Sequence, residues 1–121
     1  MIKSFKDLKV YQKAYAFAME VFLITRKFPK EEIYSLSSQI IRSSRSVAAN
    51  ISEGWARRSY ENVFKQFLIT ALGSASETQT WLDFAKDCQY ISSEEHRRLS
   101  KEIDEIGKMI TQLHKKWKNH S

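Results

Sequence analysis

The segment from residue 39 to residue 54 constrains the fold of this chain more than any other part of its sequence. At the helical rotation of about 100° per residue, an apolar stripe runs beside a narrow stripe of short polar groups. The apolar stripe comprises Leu36, Ile40, Val47, Ile51 and Gly54, and the polar stripe comprises Gln39, Arg42, Ser46, Asn50 and Glu53. Burying such polar groups costs free energy unless each finds a hydrogen-bonding partner. The pattern therefore predicts a helix with a specific polar seam between helices or subunits, or else a binding surface.

Composition restricts the rest of the chain to long helices. The 121 residues are enough for one domain, which we expect to span residues 1–121. A domain of this length buries roughly two-thirds of the surface of its unfolded chain. Only 3 Gly and 1 Pro are present, which leaves few turns for strands that are joined by hairpins.

The amount of apolar sequence and the cysteine content indicate where such a protein works. The longest apolar run, Ala14 to Met19, has 6 residues, whereas a membrane-spanning helix needs roughly 20. The first residues lack the apolar core of a signal peptide. The single cysteine, Cys88, excludes an internal disulfide and is interpreted as a small packing residue. We expect a soluble cytoplasmic protein without a membrane partner.

Capping residues and the single proline define the first two helices. Ser4, with Asp7 at the third position, is the expected cap of a first helix that runs to about Lys27. Pro29 stops that helix because the residue before a proline disfavours the α region. The second helix is expected over residues 35–55.

Similar signals define two further helices. Ser59 is the expected cap of the third, which runs to about Lys86, and Ser92 with Glu95 forms a capping box for the fourth. Gly107 is expected to permit a close helix approach. The fourth helix has apolar residues alternately three and four apart, namely Leu99, Ile103, Ile106, Ile110, Leu113 and Trp117. The predicted fold class is all-α, an antiparallel up-down-up-down four-helix bundle.

The first helix is apolar over a wider arc than a bundle core requires. One stripe contains Leu8, Tyr11, Tyr15 and Phe22, and a second contains Val10, Ala14, Phe17, Val21 and Ile24. A surplus of this kind predicts a subunit interface, and a thicker monomer core is the alternative.

The distribution of charge indicates a polyanionic ligand. The formal net charge is +6, and basic residues are concentrated after the second helix and near the end of the chain. The candidate phosphate contacts are Arg57, Arg58, Lys108, Lys115, Lys116 and Lys118. Trp55 lies beside them and is the candidate for base stacking, although an aromatic residue at helical spacing more often belongs to a core or an interface. The alternative is a basic surface that only keeps the protein soluble.

The sequence offers little chemistry for catalysis. Bundles that bind iron use Glu-x-x-His pairs, but the residues three positions before His96, His114 and His120 are Ser93, Thr111 and Trp117. Glu53 and Glu77 are the carboxylates to consider for acid–base chemistry, because we expect both to be nearly buried. A structural pairing, for example with Arg42, is the favoured interpretation. We therefore predict no catalytic residue, no metal and no cofactor.

Several spaced motifs cover nearly the whole chain. They are Phe5-x-x-Leu8, Pro29-x-x-Glu32, Leu36-x-x-Gln39, Arg42, Ser46-Val47-x-x-Asn50-Ile51-x-Glu53-Gly54 and Phe67-Leu68-x-x-Ala71-x-Gly73-Ser74-x-x-Glu77. In this combination the chain resembles the bacterial 23S rRNA intervening-sequence proteins, a family that includes the accessory variability determinants of diversity-generating retroelements. It departs from the usual pattern at Ser43 and Ser44, where the family has alanines, and at Ala48 or Ala49, where a proline is common.

The resemblance implies a four-helix bundle that assembles as a ring-like homopentamer. It also implies a non-enzymatic role in nucleic-acid binding and, in the retroelement branch, a reverse-transcriptase partner. Our leading hypothesis is a homo-oligomer that binds RNA more readily than DNA through phosphate contacts. The alternative is a structural adaptor that docks a protein such as a reverse transcriptase. We predict a mainly structural role for the polar seam, which comprises Gln39, Arg42, Ser46, Asn50, Glu53 and Glu77.

Overall fold

The computed structural model describes residues 1–118, and in this range the chain forms four α-helices and no strand. The helices are α1 (Lys9–Thr25), α2 (Leu36–Trp55), α3 (Glu61–Asp87) and α4 (Ser93–Lys116). Short 3-10 helices precede α1 at Phe5–Asp7 and α2 at Lys30–Glu32. The predicted all-α four-helix arrangement is confirmed. Residues 119–121, which include His120, lie outside the described residues.

Hydrogen bonds between the helices define their relative directions. Ser43 of α2 pairs with Thr78 of α3, and Ser46, further along α2, pairs with Ser74, which comes earlier in α3. The register runs in opposite directions on the two helices, so α2 and α3 are antiparallel. The same argument holds for α3 and α4, because Gln79 bonds Ser100 whereas Asp83 bonds His96.

The core lies along the axis of the bundle and receives large side chains from every helix. Completely buried members include Val21, Ile40, Ile51, Phe64, Leu68, Leu82, Leu99, Ile106 and Ile110. The apolar spacing predicted for α4 is confirmed at four positions, since Leu99, Ile103, Ile106 and Ile110 are all buried.

Close helix approach occurs at Gly54 and not at Gly107. A methyl group added to Gly54 would lie 2.8 Å from Cβ of Phe67 and 3.1 Å from a ring carbon of Phe64. At Gly107 the nearest atom would be in Leu72 at 3.9 Å, an ordinary contact distance. The expectation for Gly107 was therefore wrong, because this position has room for a side chain and does not require a glycine.

The predicted N-caps of α1 and α3 were wrong. Ser4 and Asp7 do form a capping box, but it caps the 3-10 helix Phe5–Asp7, and α1 begins only after Leu8, whose backbone is extended. The N-cap of α3 is Tyr60 rather than Ser59. The capping box of α4 is confirmed, with Ser92 accepting from the backbone of Glu95 and Glu95 accepting from the backbone of Ser92.

A polar contact joins the two loops at the end of the bundle where α2 begins. Glu32 accepts hydrogen bonds from the hydroxyls of Tyr90 at 2.8 Å and Ser35 at 2.6 Å. The Tyr90 ring also packs on Phe28, with centroids 5.3 Å apart. The segment before α2 is thus tied to the turn between α3 and α4.

Candidate nucleic-acid interface

The direction of the helices brings three separate basic segments to one end of the bundle. These segments are residues 1–13, 53–65 and 108–118, and we call this region the basic end. Its cations are Lys3, Lys6, Lys9, Lys13, Arg57, Arg58, Lys65, Lys108, Lys115, Lys116 and Lys118, and its acids are Asp7, Glu53 and Glu61. An excess of positive charge on one side favours the approach of a polyanion.

The other end of the bundle has no such excess. We call residues 26–32 and 83–98 the balanced end. Its cations are Arg26, Lys27, Lys30, Lys86, Arg97 and Arg98, and its acids are Glu31, Glu32, Asp83, Asp87, Glu94 and Glu95. The net positive charge of the chain therefore belongs to one end.

Trp117 holds the basic segments together. Its indole N–H donates to the backbone carbonyl of Arg58 at 3.2 Å. Its ring packs edge-on against Trp55 and Phe64, with centroids 5.4 and 4.9 Å apart. This contact fixes the last turn of α4 against the link between α2 and α3, and it places the lysines that flank Trp117 near Arg57 and Arg58.

Trp55 does not have the exposure that base stacking requires. Only 7% of its surface is accessible, and it packs edge-on against Phe64 with centroids 6.1 Å apart. The guanidinium of Arg58 lies 4.5 Å from the centroid of the Trp55 ring. The prediction of Trp55 as a stacking residue was therefore wrong, and the alternative of a core role is confirmed, because the ring belongs to the core that supports the basic end.

Arg57 and Arg58 are exposed but held in place. Arg57 donates to the carbonyl of Glu53 at 3.0 Å and lies 5.1 Å from the Phe67 ring centroid. Arg58 donates to the carbonyl of Trp55 at 2.9 Å. These bonds satisfy carbonyls at the end of α2, as basic residues often do. A guanidinium has five N–H donors, so donors remain for a phosphate.

The other predicted contacts are not equivalent. Lys115, Lys116 and Lys118 are exposed at the basic end. Lys108 forms an ion pair with Asp104 at 3.2 Å and lies about two turns before Lys115. Its side chain is 77% exposed, so it differs from the three later lysines only in having an acidic neighbour.

Sequence reasoning missed the basic residues that precede and begin α1. Lys3, Lys6 and Lys9 are exposed at the basic end. Their separation in sequence from Arg57 concealed this proximity. The signal was available in the predicted topology, since an up-down-up-down bundle places the start of its first helix beside the end of its fourth.

The polar seam is only partly a buried structure. Asn50 donates to the carbonyl of Ser46 at 2.8 Å and to its hydroxyl at 3.0 Å, and Ser74 of α3 donates to the same hydroxyl at 2.9 Å. Gln39 is half-buried near the start of α2. Asn50 and Ser46 thus pair within α2, and Ser46 pairs across to α3, as a structural seam requires.

The charged members of the polar seam face outward. Arg42, Glu53 and Glu77 are exposed, and the Glu77 carboxylate accepts from the indole N–H of Trp81 at 3.2 Å. The expectation that both glutamates are nearly buried was wrong, because each lies beyond the line of contact between α2 and α3. Within residues 1–118, no ion pair joins either glutamate to Arg42.

The polar contact that is fully buried is made by Ser43, which comes one residue after Arg42 of the predicted polar stripe. Ser43 and Thr78 are both buried, and their hydroxyl oxygens are 2.8 Å apart. Ser44 is also buried and donates to the carbonyl of Ile41 at 3.1 Å. Ser43 and Ser44 are among the positions where the chain departs from the usual pattern of the proteins that it resembles. Ser43 supplies one of the two hydroxyls in this buried contact.

The described residues contain no cluster of three or more side chains that could hold a metal ion. His96 lies 2.7 Å from Asp83, and this hydrogen bond holds the pKa of the Asp83 carboxyl below its usual value. Cys88 is exposed, so its interpretation as a packing residue was wrong. No helix within residues 1–118 has the length and apolar character needed to span a bilayer.

Comparison with known proteins places the chain in a family. The sequence profile of the 23S rRNA-intervening sequence protein family matches residues 6–112. The chain belongs to this family. A solved structure from Bacteroides thetaiotaomicron VPI-5482, described as a protein with unknown function from the S23 ribosomal protein family, is similar with a TM-score of 0.77 and 28% identity. The alignment covers 88% of this chain and 98% of the other. None of the curated proteins matches the chain.

Proposed function

We propose that this chain is a non-enzymatic, homo-oligomeric protein that binds nucleic acid through its basic end. The observation that carries the proposal is the contrast between that end, with eleven cations and three acids, and the balanced end, with six of each. Neutralising phosphate with Lys and Arg releases counterions, which supplies affinity without any reading of base sequence. Arg57, Arg58, Lys115, Lys116 and Lys118 are the proposed contacts, and Lys3, Lys6 and Lys9 extend them.

The family supports RNA over DNA as the ligand, because its name refers to an intervening sequence of 23S rRNA. It gives no support to an enzymatic role. The proposed location is the cytoplasm, where a reducing environment suits the exposed thiol of Cys88.

A salt titration tests the proposal. We would measure the fluorescence anisotropy of labelled single-stranded RNA and of DNA with the same sequence, using the full chain over a range of salt concentrations. Affinity should fall steeply with salt, since each phosphate contact contributes a slope of about 0.7 in a plot of log K against log salt for single strands. An affinity that does not change with salt concentration, or no binding at low salt, would overturn the proposal.

Two matched variants locate the site. The first neutralises Arg57, Arg58, Lys115 and Lys116 with glutamine, and the second neutralises Lys27, Lys30, Lys86 and Arg97 in the same way. Both lose the same charge. The first should lower the salt slope by about 3, and the second should leave it nearly unchanged. Equal losses in the two variants would mean that only net charge matters.

The homo-oligomer, a pentamer by family resemblance, is supported by large apolar side chains that remain exposed on a single chain. Examples are Tyr15 at 55%, Leu23 at 53% and Phe84 at 53%. Light scattering on the purified chain measures the assembly against a monomer mass of 14.2 kDa.

The same exposed side chains favour one other candidate function, a structural adaptor that docks a protein such as a reverse transcriptase. Its test is co-purification of a reverse transcriptase encoded beside the gene, after nuclease treatment. A complex that nuclease destroys would instead favour the nucleic-acid function.

A further inference from the structure

Two exposed apolar surfaces flank α2 on opposite sides. On the α1 side, a groove of about 380 Å³ is lined by Tyr15, Met19, Arg45 and Ala49, among others; we call it the groove face. On the α3 side, Trp81 and Phe84 pack together with ring centroids 5.9 Å apart; we call these two rings, with Glu77, the ridge face. The Phe84 ring is 53% exposed and Trp81 is half-buried, and together they line a groove of about 380 Å³ beside Leu36 and Gln39. The two surfaces therefore match in apolar character, and their charges distinguish them.

The groove face carries positive charge. Arg26 and Arg45 lie over the ring of Phe22, with guanidinium carbons 5.1 and 5.4 Å from its centroid. Neither arginine takes part in any ion pair within residues 1–118. Both guanidinium groups are exposed, and Arg45 lines the groove, where it is available to a carboxylate from another molecule.

The ridge face carries negative charge. Glu77 is exposed, and its carboxylate is positioned by the hydrogen bond from Trp81. Among the described residues it has no ion-pair partner. The ridge face is therefore a pair of aromatic rings beside an uncompensated carboxylate, and its charge complements a groove that is lined by the uncompensated Arg45.

The two charges lie at the same height along the bundle. Thr78, which follows Glu77, is bonded to Ser43, and Ser43 precedes Arg45 by two residues. At a rise of about 1.5 Å per residue, Glu77 and Arg45 lie within one helical turn of that shared level. If copies of the chain stand side by side with their axes parallel, Glu77 of one copy meets Arg45 of the next.

We propose that the groove face of one copy packs against the ridge face of the next, with Arg45 facing Glu77. The inference rests on the proposed homo-oligomer and assigns its interface. Contact between two different faces is head-to-tail, and such contacts close into a ring when the rotation between copies permits it. Parallel copies also carry their basic ends on one rim, where the phosphate contacts of several copies act on one nucleic acid.

Charge reversal tests the contact between the two residues. Arg45→Glu and Glu77→Arg should each lose the oligomer seen for the parent chain by light scattering, because like charges then face each other. The double variant Arg45→Glu/Glu77→Arg should recover it, since every copy again presents opposite charges. Lys101→Glu, an exposed change of equal charge on α4, is the control and should leave assembly intact.

A second pair of variants tests whether the contact is head-to-tail. Ala49→Glu obstructs the groove face and Phe84→Arg disrupts the ridge face, so each variant alone should be a folded monomer by circular dichroism and light scattering. An equimolar mixture should form a heterodimer of twice 14.2 kDa and nothing larger, because the two faces left free in that dimer are both disrupted. Ala16→Glu and Ile69→Arg are matched controls at exposed positions away from both faces.

Each outcome decides the proposal. A monomeric parent overturns the homo-oligomer and the interface together, while RNA binding is judged separately by its salt dependence. If the parent chain assembles and the single variants also still assemble, only the interface is overturned. If only the variants of one face lose the oligomer, the contact is symmetric through that face and the pairing is overturned. The pairing is also overturned if the double variant or the mixture fails to assemble. Faces that stay exposed in an intact oligomer would belong to a different protein partner.

Discussion

The contact between α2 and α3 differs in kind from the contact between α3 and α4. At the first, Gly54 brings the backbone of α2 close to Phe67, and buried hydroxyls of Ser43 and Thr78 pair across the helices. At the second, Ile103 and Ile106 fill the space with aliphatic side chains. A groove of about 410 Å³ also runs beside Gly107. The comparison teaches that a single helix, α3, packs by two mechanisms. Its contact with α2 depends on closeness and on a buried hydroxyl pair. Its contact with α4 depends on apolar volume in the interior, with polar pairs only nearer the surface.

The largest expected effect is loss of apolar volume from α4. Ile110 is completely buried, and truncation of such a residue costs about 2–5 kcal/mol. Ile110→Ala should therefore lower the free energy of unfolding by this amount in urea denaturation. Thr111→Ala, at the adjacent exposed position, is the control and should change stability by less than about 0.5 kcal/mol. A small effect at Ile110 would mean that apolar filling does not hold α4.

The two glycines separate the mechanisms most directly. Gly54→Ala places a methyl group 2.8 Å from Cβ of Phe67, and overpacking of this kind costs about 1–3 kcal/mol. Gly107→Ala meets no close atom and gains helix propensity, so it should stabilise the chain by about 0.5–1 kcal/mol. Thermal unfolding of both variants measures the difference. Equal effects at the two positions would remove the distinction between the contacts.

The buried hydroxyl pair predicts a smaller, non-additive effect. Thr78→Val leaves the Ser43 hydroxyl without its partner on α3, and such a loss costs about 1–3 kcal/mol. The double variant Ser43→Ala/Thr78→Val should cost less than the sum of the single changes. Thr111→Val, on the exposed side of α4, is the control. Additive effects would show that the two hydroxyls do not depend on each other.

The smallest expected effect is the pH dependence of the loop contact. Hydrogen bonds from Ser35, Tyr90 and the backbone of Leu36 lower the pKa of Glu32, so its contribution is present above pH about 4.3 and is lost as pH falls further. The hydrogen bond to Glu32 raises the pKa of Tyr90 to about 12. The Tyr90 contribution is therefore complete below pH about 10 and is lost as pH rises from there towards 12.

A tyrosinate absorbance titration measures this contact. The parent chain should show one step near pH 12 that is absent from Tyr90→Phe and retained in Tyr34→Phe. The melting temperature of Tyr90→Phe should also fall less at high pH than that of the parent chain. A step near pH 12 that survives Tyr90→Phe would assign it to another residue.

Much of the fold was predictable because its signals are local. The capping box at Ser92 and the apolar spacing from Leu99 to Ile110 depend only on neighbouring residues, and both are confirmed. The start of α1 was misplaced because the same Ser4 pattern caps either kind of helix. The candidate site was less predictable. Its lysines and arginines could be named from the sequence, but the position of Lys3, Lys6 and Lys9 beside them depends on how the helices are arranged.

The sequence by itself determined that the chain forms amphipathic helices, since periodicity and capping are properties of a single segment. Only the tertiary structure decided which polar and aromatic groups are buried. Trp55 is buried because Trp117 returns from the far end of the chain to cover it, and Glu77 is exposed because the contact line between α2 and α3 passes through Thr78. Burial depends on which helix lies opposite, and a stripe on one helix cannot define its partner.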